Sequence, residues 1–278
     1  MPHGPDRPPH RARKSLGQNF LVDPNLQRKI VEAVDPSEDD EILEIGPGLG
    51  ALTRHLVGRV RSLILVELDH DLARRLETEF GTDPSVRLIR DDILRVDLSD
   101  VSAAPDRLKV VGNIPYSITT PIIFHLLGSI PRPALIVLMV QREVADRILA
   151  APATKAFGAL TVGVRSVASV ERVTHIGRSA FRPTPDVDST VVRIVPRRPP
   201  PLDPPTETAL RTLTRAAFGH RRKQFQRTLR DVFGASPDDI ERIGSRLDLD
   251  LRARPETFHP DDFIRLTRLL LAEGILPP

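Results

Sequence analysis

Apolar positions along this chain keep two different rhythms. Short apolar-rich runs at Glu41–Ile45, Ser62–Leu68, Val86–Arg90, Leu108–Val111 and Ala134–Val140 have the length of buried strands. Around them apolar residues recur three and four apart: after Asp23-Pro24 as far as Val34, in Asp71–Phe80, in Ile118–Leu127 and in the charged stretch Arg142–Ala150. Asp23-Pro24 reads as a helix N-cap with proline at the first helical position. Helix formers also follow the glycines at 46–50 as far as Val57, with Gly58 and Gly81 as stops. Strands alternating with helices predict an α/β domain with a doubly wound, mostly parallel sheet. A helix over Gly158–Ala168 then precedes Val170–Ile176 and Thr190–Val195, which read as a terminal hairpin of strands.

The rhythm breaks at Pro196–Pro205, where six prolines and two arginines make a stiff linker. Helical spacing returns near 206–218, 221–233, 237–246 and 260–273. The expected organisation is a disordered basic lead-in over 1–14, an α/β domain over 15–198, a Pro-rich linker over 199–205 and a small all-helical domain over 206–278. No apolar core follows the basic residues of the lead-in, so it does not read as a secretory signal.

Composition mainly excludes. An apolar fraction of 40% and a charged fraction of 28% fit a globular protein. The absence of cysteine rules out disulfides, thiolate metal sites and a cysteine nucleophile, and is compatible with the cytoplasm. No apolar run reaches the ~18 residues of a membrane span. A net charge of +3 is too small to indicate a polyanionic partner. Clustering says more: seven basic residues and no acid lie between Arg211 and Arg230, centred on Arg221-Arg222-Lys223. Such a run is either a solvated face or a phosphate-contacting one.

The candidate chemistry sits at strand ends. Gly46-Pro47-Gly48-Leu49-Gly50 follows the first strand of the α/β unit, as in nucleotide-binding folds. Glu67 lies 21 residues after Gly46, near the ~20-residue offset at which an acid reaches ribose hydroxyls. The Gly-x-Gly-x-Gly spacing, with Glu44 just before it, suits S-adenosylmethionine better than a dinucleotide. That ligand has no phosphates, and its amino and sulfonium groups are cationic. Asp91-Asp92, ending another strand, can accept from an adenine amino group. Val110–Tyr116 ends in Asn113-Ile114-Pro115-Tyr116, offering a side-chain amide, a backbone carbonyl and the chain's sole tyrosine to a flat heterocycle with an exocyclic amine. Gln18-Asn19 could fold over a ligand, and the proline-rich loop around Phe181 holds that ring as core or as a base-stacking surface.

With these motifs in order, the chain resembles the ribosomal RNA adenine N6,N6-dimethyltransferase family. The likeness rests on Gln18-Asn19-Phe20-Leu21, Glu44-Ile45-Gly46-Pro47-Gly48, Glu67-Leu68-Asp69, Asp92, Asn113-Ile114-Pro115-Tyr116, Phe181-x-Pro183-x-Pro185-x-Val187-Asp188-Ser189 and Phe218-Gly219-His220-Arg221-Arg222-Lys223. It implies a Rossmann-like S-adenosylmethionine-dependent methyltransferase sheet with a helical C-terminal domain. Asn19, Leu21, Gly46, Gly48, Glu67, Asp92 and Asn113 would contact S-adenosylmethionine; Asn113, Pro115, Tyr116 and Phe181 would hold the target adenine. Arg221, Arg222 and Lys223 would contact RNA, and no metal is implied. The resemblance favours the branch that dimethylates two adjacent adenosines in the 3′-terminal hairpin of small-subunit rRNA, on a nearly assembled subunit, as a cytoplasmic monomer. Three alternatives stay open: a large-subunit rRNA dimethyltransferase conferring macrolide resistance, a non-catalytic assembly factor on the same scaffold, and an NAD-dependent dehydrogenase, for which the longer glycine spacing is missing. Asp186, where a basic residue is usual, and Phe157, where an aromatic hydroxyl is common, depart from the family on the substrate side.

Overall fold

The computed structural model describes residues 12–13, 17–219 and 222–277; most of the expected lead-in, and Arg221, lie outside the described residues. In chain order the elements begin with β1 (Phe20–Leu21), α1 (Pro24–Val34), β2 (Glu41–Ile45), α2 (Thr53–Leu56), β3 (Ser62–Val66), α3 (His70–Phe80) and β4 (Val86–Ile89). They continue with α4 (Leu98–Val101), β5 (Lys109–Asn113), α5 (Thr119–Gly128), β6 (Leu135–Gln141), α6 (Arg142–Ile148), α7 (Ala159–Arg165), β7 (Ala168–Ile176), β8 (Phe181–Arg182) and β9 (Ser189–Pro196). Four helices follow: α8 (Pro204–Gly219), α9 (Phe225–Phe233), α10 (Pro237–Leu247) and α11 (Pro260–Ala272).

The main sheet has the order β4-β3-β2-β5-β6-β9-β7. Strands β2 to β6 run parallel; β9 is antiparallel to both β6 and β7, as the hairpin reading expected. From β2 the chain steps outward through β3 and β4, then returns to the other side of β2 as β5. That reversal is a topological switch point, and it opens a crevice at the C-terminal ends of β2 and β5.

Strand alternation sorts the core into two layers. Leu43, Ile45, Ile64, Val66, Val110, Ile136 and Leu138 pack on one face against α5. Ile42, Leu63, Leu65, Val111, Val137 and Met139 pack on the other, against Ile30, Val31 and Val34 of α1 and Leu76 of α3. At the switch point Gly112 brings β5 against β2 so closely that a Cβ there would fall 2.8 Å from the Ile45 carbonyl oxygen.

Two expectations about helix extent need correction. The helix after the glycines is only α2, because Gly46, Gly48 and Gly50 have φ of +61°, +60° and +76°, and a right-handed helix needs negative φ. Arg222 and Lys223 lie in the connection between α8 and α9 and are exposed. The C-terminal helices do not stand apart: Leu210 and Leu213 of α8 and Phe263 of α11 share a core with Phe157 and with Val162 of α7. Phe157 is fully buried and meets Phe218 ring to ring at 6.0 Å.

Candidate active site

The crevice holds a cavity of about 480 Å³, within the ~300–1,000 Å³ usual for small-molecule sites. Its walls come from residues 17–22, the glycine turn, the ends of β3 and β4, and residues 113–118.

Glu67, just beyond β3, braces the glycine turn. Its Oε2 accepts from the Gly48 N–H at 3.0 Å and its Oε1 from the Asp69 N–H at 2.9 Å. A carboxylate has further lone pairs, so Glu67 can still accept from a ligand. Burial pushes its pKa up, against those two hydrogen bonds. Phe20 covers the turn, and a Cβ on Gly48 would come within 3.1 Å of its ring. Glu44 is buried below, its Oε2 accepting from the Thr53 hydroxyl at 2.7 Å. Burial raises its carboxyl to about 7; the Thr53 hydrogen bond opposes this, and the Glu67 charge adds to it. Asp69 moves the other way. Burial alone would raise it, but Gln18 Nε2 at 2.8 Å, the Asp71 and Leu72 N–H groups and the Arg13 guanidinium hold it below the usual carboxylate range.

Asn113 closes the opposite wall. Its Nδ2 donates to the Asn19 carbonyl at 2.9 Å, which leaves Oδ1 to accept from a ligand. The Tyr116 hydroxyl lies 2.6 Å from Ser189 Oγ. Burial raises the phenol pKa; the Ser189 hydrogen bond opposes that rise and the Asp188 charge supports it.

Nine residues singled out in the sequence line this one cavity: Asn19, Leu21, Gly46, Gly48, Glu67, Asp92, Asn113, Pro115 and Tyr116. Phe181 does not. It is 0% exposed, and antiparallel pairing of β8 with β1 sets it opposite Leu21, inside the α1-side core. The ring supports the wall of the site from behind and shows the cavity no stacking face. The Pro115 carbonyl also differs from expectation. The chain turns at once toward α5, so this oxygen accepts from the Ile118 N–H at 3.2 Å and the Thr119 hydroxyl at 3.4 Å. One residue earlier, Ile114 lines the cavity, and no described residue offers its carbonyl a donor.

Sequence reasoning missed the partners: Thr53 for Glu44, Gln18 for Asp69 and Ser189 for Tyr116. It also missed a groove of about 1,200 Å³ between α6, α8 and the 178–188 loop, where Arg147, Lys155, Arg178 and Arg215 line the walls with Asp186 and Phe157. Arg222 and Lys223 line neither hollow. Among the described residues no cluster of His, Asp or Glu could hold a metal ion, and no helix is long and apolar enough to cross a membrane.

A parallel sheet that switches direction beside β2, with a glycine turn on a buried acid and an Asn-x-Pro-Tyr turn facing it, defines a Rossmann-like methyltransferase. The family model for ribosomal RNA adenine dimethylase matches residues 9–252, and the chain belongs to that family. It is 40% identical over 272 residues to the ribosomal RNA small subunit methyltransferase A of Levilactobacillus brevis, covering 95% of this chain and 92% of that one. The Pseudomonas aeruginosa protein of the same name is 39% identical over 261 residues, covering 94% and 95%. Among solved structures, a dimethyladenosine transferase from Plasmodium falciparum shares the fold, with a TM-score of 0.79 at 23% identity over 93% of this chain and 100% of that one. The 23S rRNA methyltransferase ErmE gives 0.69 at 26% identity, over 90% and 98%.

Proposed function

We propose that this protein uses S-adenosylmethionine to dimethylate N6 of two adjacent adenosines in the 3′-terminal hairpin of small-subunit (16S) rRNA during ribosome biogenesis. One observation carries the reading. The Asn113 amide, its orientation set by Asn19, shares a cavity with the glycine turn braced by Glu67, in a chain of the rRNA adenine dimethylase family. Relatives named for the small subunit match at 40% and 39% over nearly the whole chain, against 26% for the large-subunit enzyme. That difference favours the small-subunit substrate.

The charge of the cavity fits the cofactor. Glu67, Asp91 and Asp92 line it against one guanidinium, Arg54, which is paired with Glu79 at 2.8 Å. Such a lining disfavours phosphates and suits a ligand bearing ammonium and sulfonium groups. Asn19, Leu21, Gly46, Gly48, Glu67, Asp92 and Asn113 would hold S-adenosylmethionine, which when bound supplies an electrophilic methyl group.

The chain's own task is to prepare the amine. Adenine N6 is a poor nucleophile because its lone pair is delocalised into the ring. Asn113 Oδ1 accepts one N–H, and the Ile114 carbonyl replaces that of Pro115 as acceptor of the other. Both bonds favour a pyramidal nitrogen with its lone pair free, the kind of positioning that lowers barriers by several kcal/mol. Tyr116 gives the base a face worth ~1–3 kcal/mol, offsetting the ~few kcal/mol needed to unstack it. No strong base is needed, since the nitrogen becomes acidic after attack.

In this reading residues 15–198 form the methyltransferase domain, the Pro-rich 199–205 leads into α8, and 206–278 forms an rRNA-contacting domain packed on Phe157 and Val162. The protein acts as a cytoplasmic monomer on a nearly assembled small subunit, with Arg222 and Lys223 contacting phosphates. Mass spectrometry of small-subunit rRNA from a strain lacking the gene, before and after treatment with purified protein and S-adenosylmethionine, tests it. Two adjacent adenosines should each gain two methyl groups. No gain, or a gain on large-subunit rRNA, would overturn it.

A further inference from the structure

Val187-Asp188-Ser189 closes one of the motifs that carry the family resemblance, yet none of the three lines the methyl-transfer cavity. Ser189 reaches the site through one contact. It opens β9, is 0% exposed, and has Gln141 of β6 and Ile176 of β7 as register partners on its two sides. Asp188 before it is tied twice: its carbonyl accepts from the Arg142 N–H at 3.0 Å and its Oδ1 from the Arg178 N–H at 3.1 Å. From this anchored backbone Ser189 Oγ meets the Tyr116 hydroxyl at 2.6 Å, the one hydrogen bond that hydroxyl makes with the described residues.

We infer that Ser189 is a positioning residue for methyl transfer: its hydroxyl pins the tip of Tyr116 and so fixes the ring face on which the target base rests. This deepens the methyltransferase reading and rests on it. A tyrosine ring turns easily about its broad second torsion. Held at its backbone and again at its hydroxyl, it needs no ordering when the base arrives, and ordering a side chain on binding carries a cost. Through this pin, the loop over 177–189 sets the angle of the surface opposite Asn113, although its own Phe181 is buried.

The chain provides its own probe. Tyr116 is the only tyrosine and there is no tryptophan, so the tyrosine near-ultraviolet circular dichroism band reports this one ring. Full-length Ser189→Ala, Tyr116→Phe and the double variant would be assayed on unmethylated small subunits, with calorimetry against S-adenosylmethionine. Ser189→Ala should collapse the tyrosine band and lower kcat roughly tenfold or more, with cofactor Kd nearly unchanged and Tm lowered by only a few degrees. The double variant should be no worse than the poorer single one, because both remove the same bond. Wild-type kcat in Ser189→Ala, an unchanged band, multiplicative losses, or a fall in cofactor binding and Tm matching the loss of kcat would each overturn the inference. If the alanine variant does not fold, Ser189→Thr against Ser189→Val, nearly equal in shape and differing in the hydroxyl, decides by their kcat ratio. Wild-type protein that methylates no small-subunit rRNA would refute the functional reading, while the tyrosine band would still decide the Tyr116–Ser189 coupling.

Discussion

Around the glycine turn, polar groups are satisfied from within the chain: Gly48 and Asp69 N–H groups on Glu67, Thr53 on Glu44, Gln18 on Asp69. A separate wide groove is lined by Arg142, Arg147, Lys155, Arg178 and Arg215 and by the acids Glu143, Asp146, Asp186 and Asp188; of those cations only Arg142 has an ion-pair partner among the described residues, Asp146 at 3.8 Å. The first region is suited to a small ligand of fixed shape and gains by being rigid before it binds. The second keeps its cations solvated, as suits a polyanion that binds by displacing counterions. Tyr116, in the wall of the cavity, bonds Ser189, and the preceding Asp188 lines the groove.

Substitutions can set the two regions against each other. Asn113→Ala removes an acceptor from the cavity wall and should cut methyl transfer by ~10²–10³-fold. Calorimetry should show S-adenosylmethionine affinity changed far less; near-normal turnover would sink the proposed chemistry. Glu44→Gln tests the buried acids of the rigid side. The Glu44 pKa is raised in the fold from near 4.5 to about 7, so the folded state holds its proton more tightly than the unfolded chain does. Wild-type stability should therefore fall as pH rises from about 4.5 to 7, by on the order of 3 kcal/mol. The glutamine variant should show a flatter profile in denaturant titrations across that window; identical profiles would contradict the assignment.

A smaller effect is expected from Gly112→Ala. Its Cβ would press on the Ile45 backbone oxygen rather than on a movable side chain, at a cost of ~1–3 kcal/mol read as a lower Tm. Least is expected from Arg222→Glu with Lys223→Glu. Affinity for small subunits should drop about tenfold and the dependence of binding on salt should become shallower, by ~1 in slope for each phosphate no longer neutralised. Cofactor affinity should not move. If salt dependence is unchanged as well, these cations belong to a solvated face.

Legibility in the sequence follows the same division. Strands β2 to β6 and helices α1, α3 and α5 are readable because their apolar period and caps are local; Asp23, for example, accepts from the Asn25 and Leu26 N–H groups as an N-cap should. The glycine turn and Glu67 are readable because a strand, a turn and an acid at a set offset are local too. Phe181 is not, because its burial depends on pairing with Leu21, far away along the chain. The Pro115 carbonyl misleads because the tight turn before α5 turns it back on the chain.

The parallel α/β order, the glycine turn, the Asn-x-Pro-Tyr end of β5 and the family resemblance all reside in spacing over a few to some twenty residues, and the amino-acid order alone sets them. Which atoms of those motifs are left for a ligand is settled only in the folded chain. The Asn113 amide is oriented by Asn19, 94 positions away, and Tyr116 meets Ser189 across 73. Contacts of that span follow from how the sheet and its loops close in space, and no local pattern of residues encodes them.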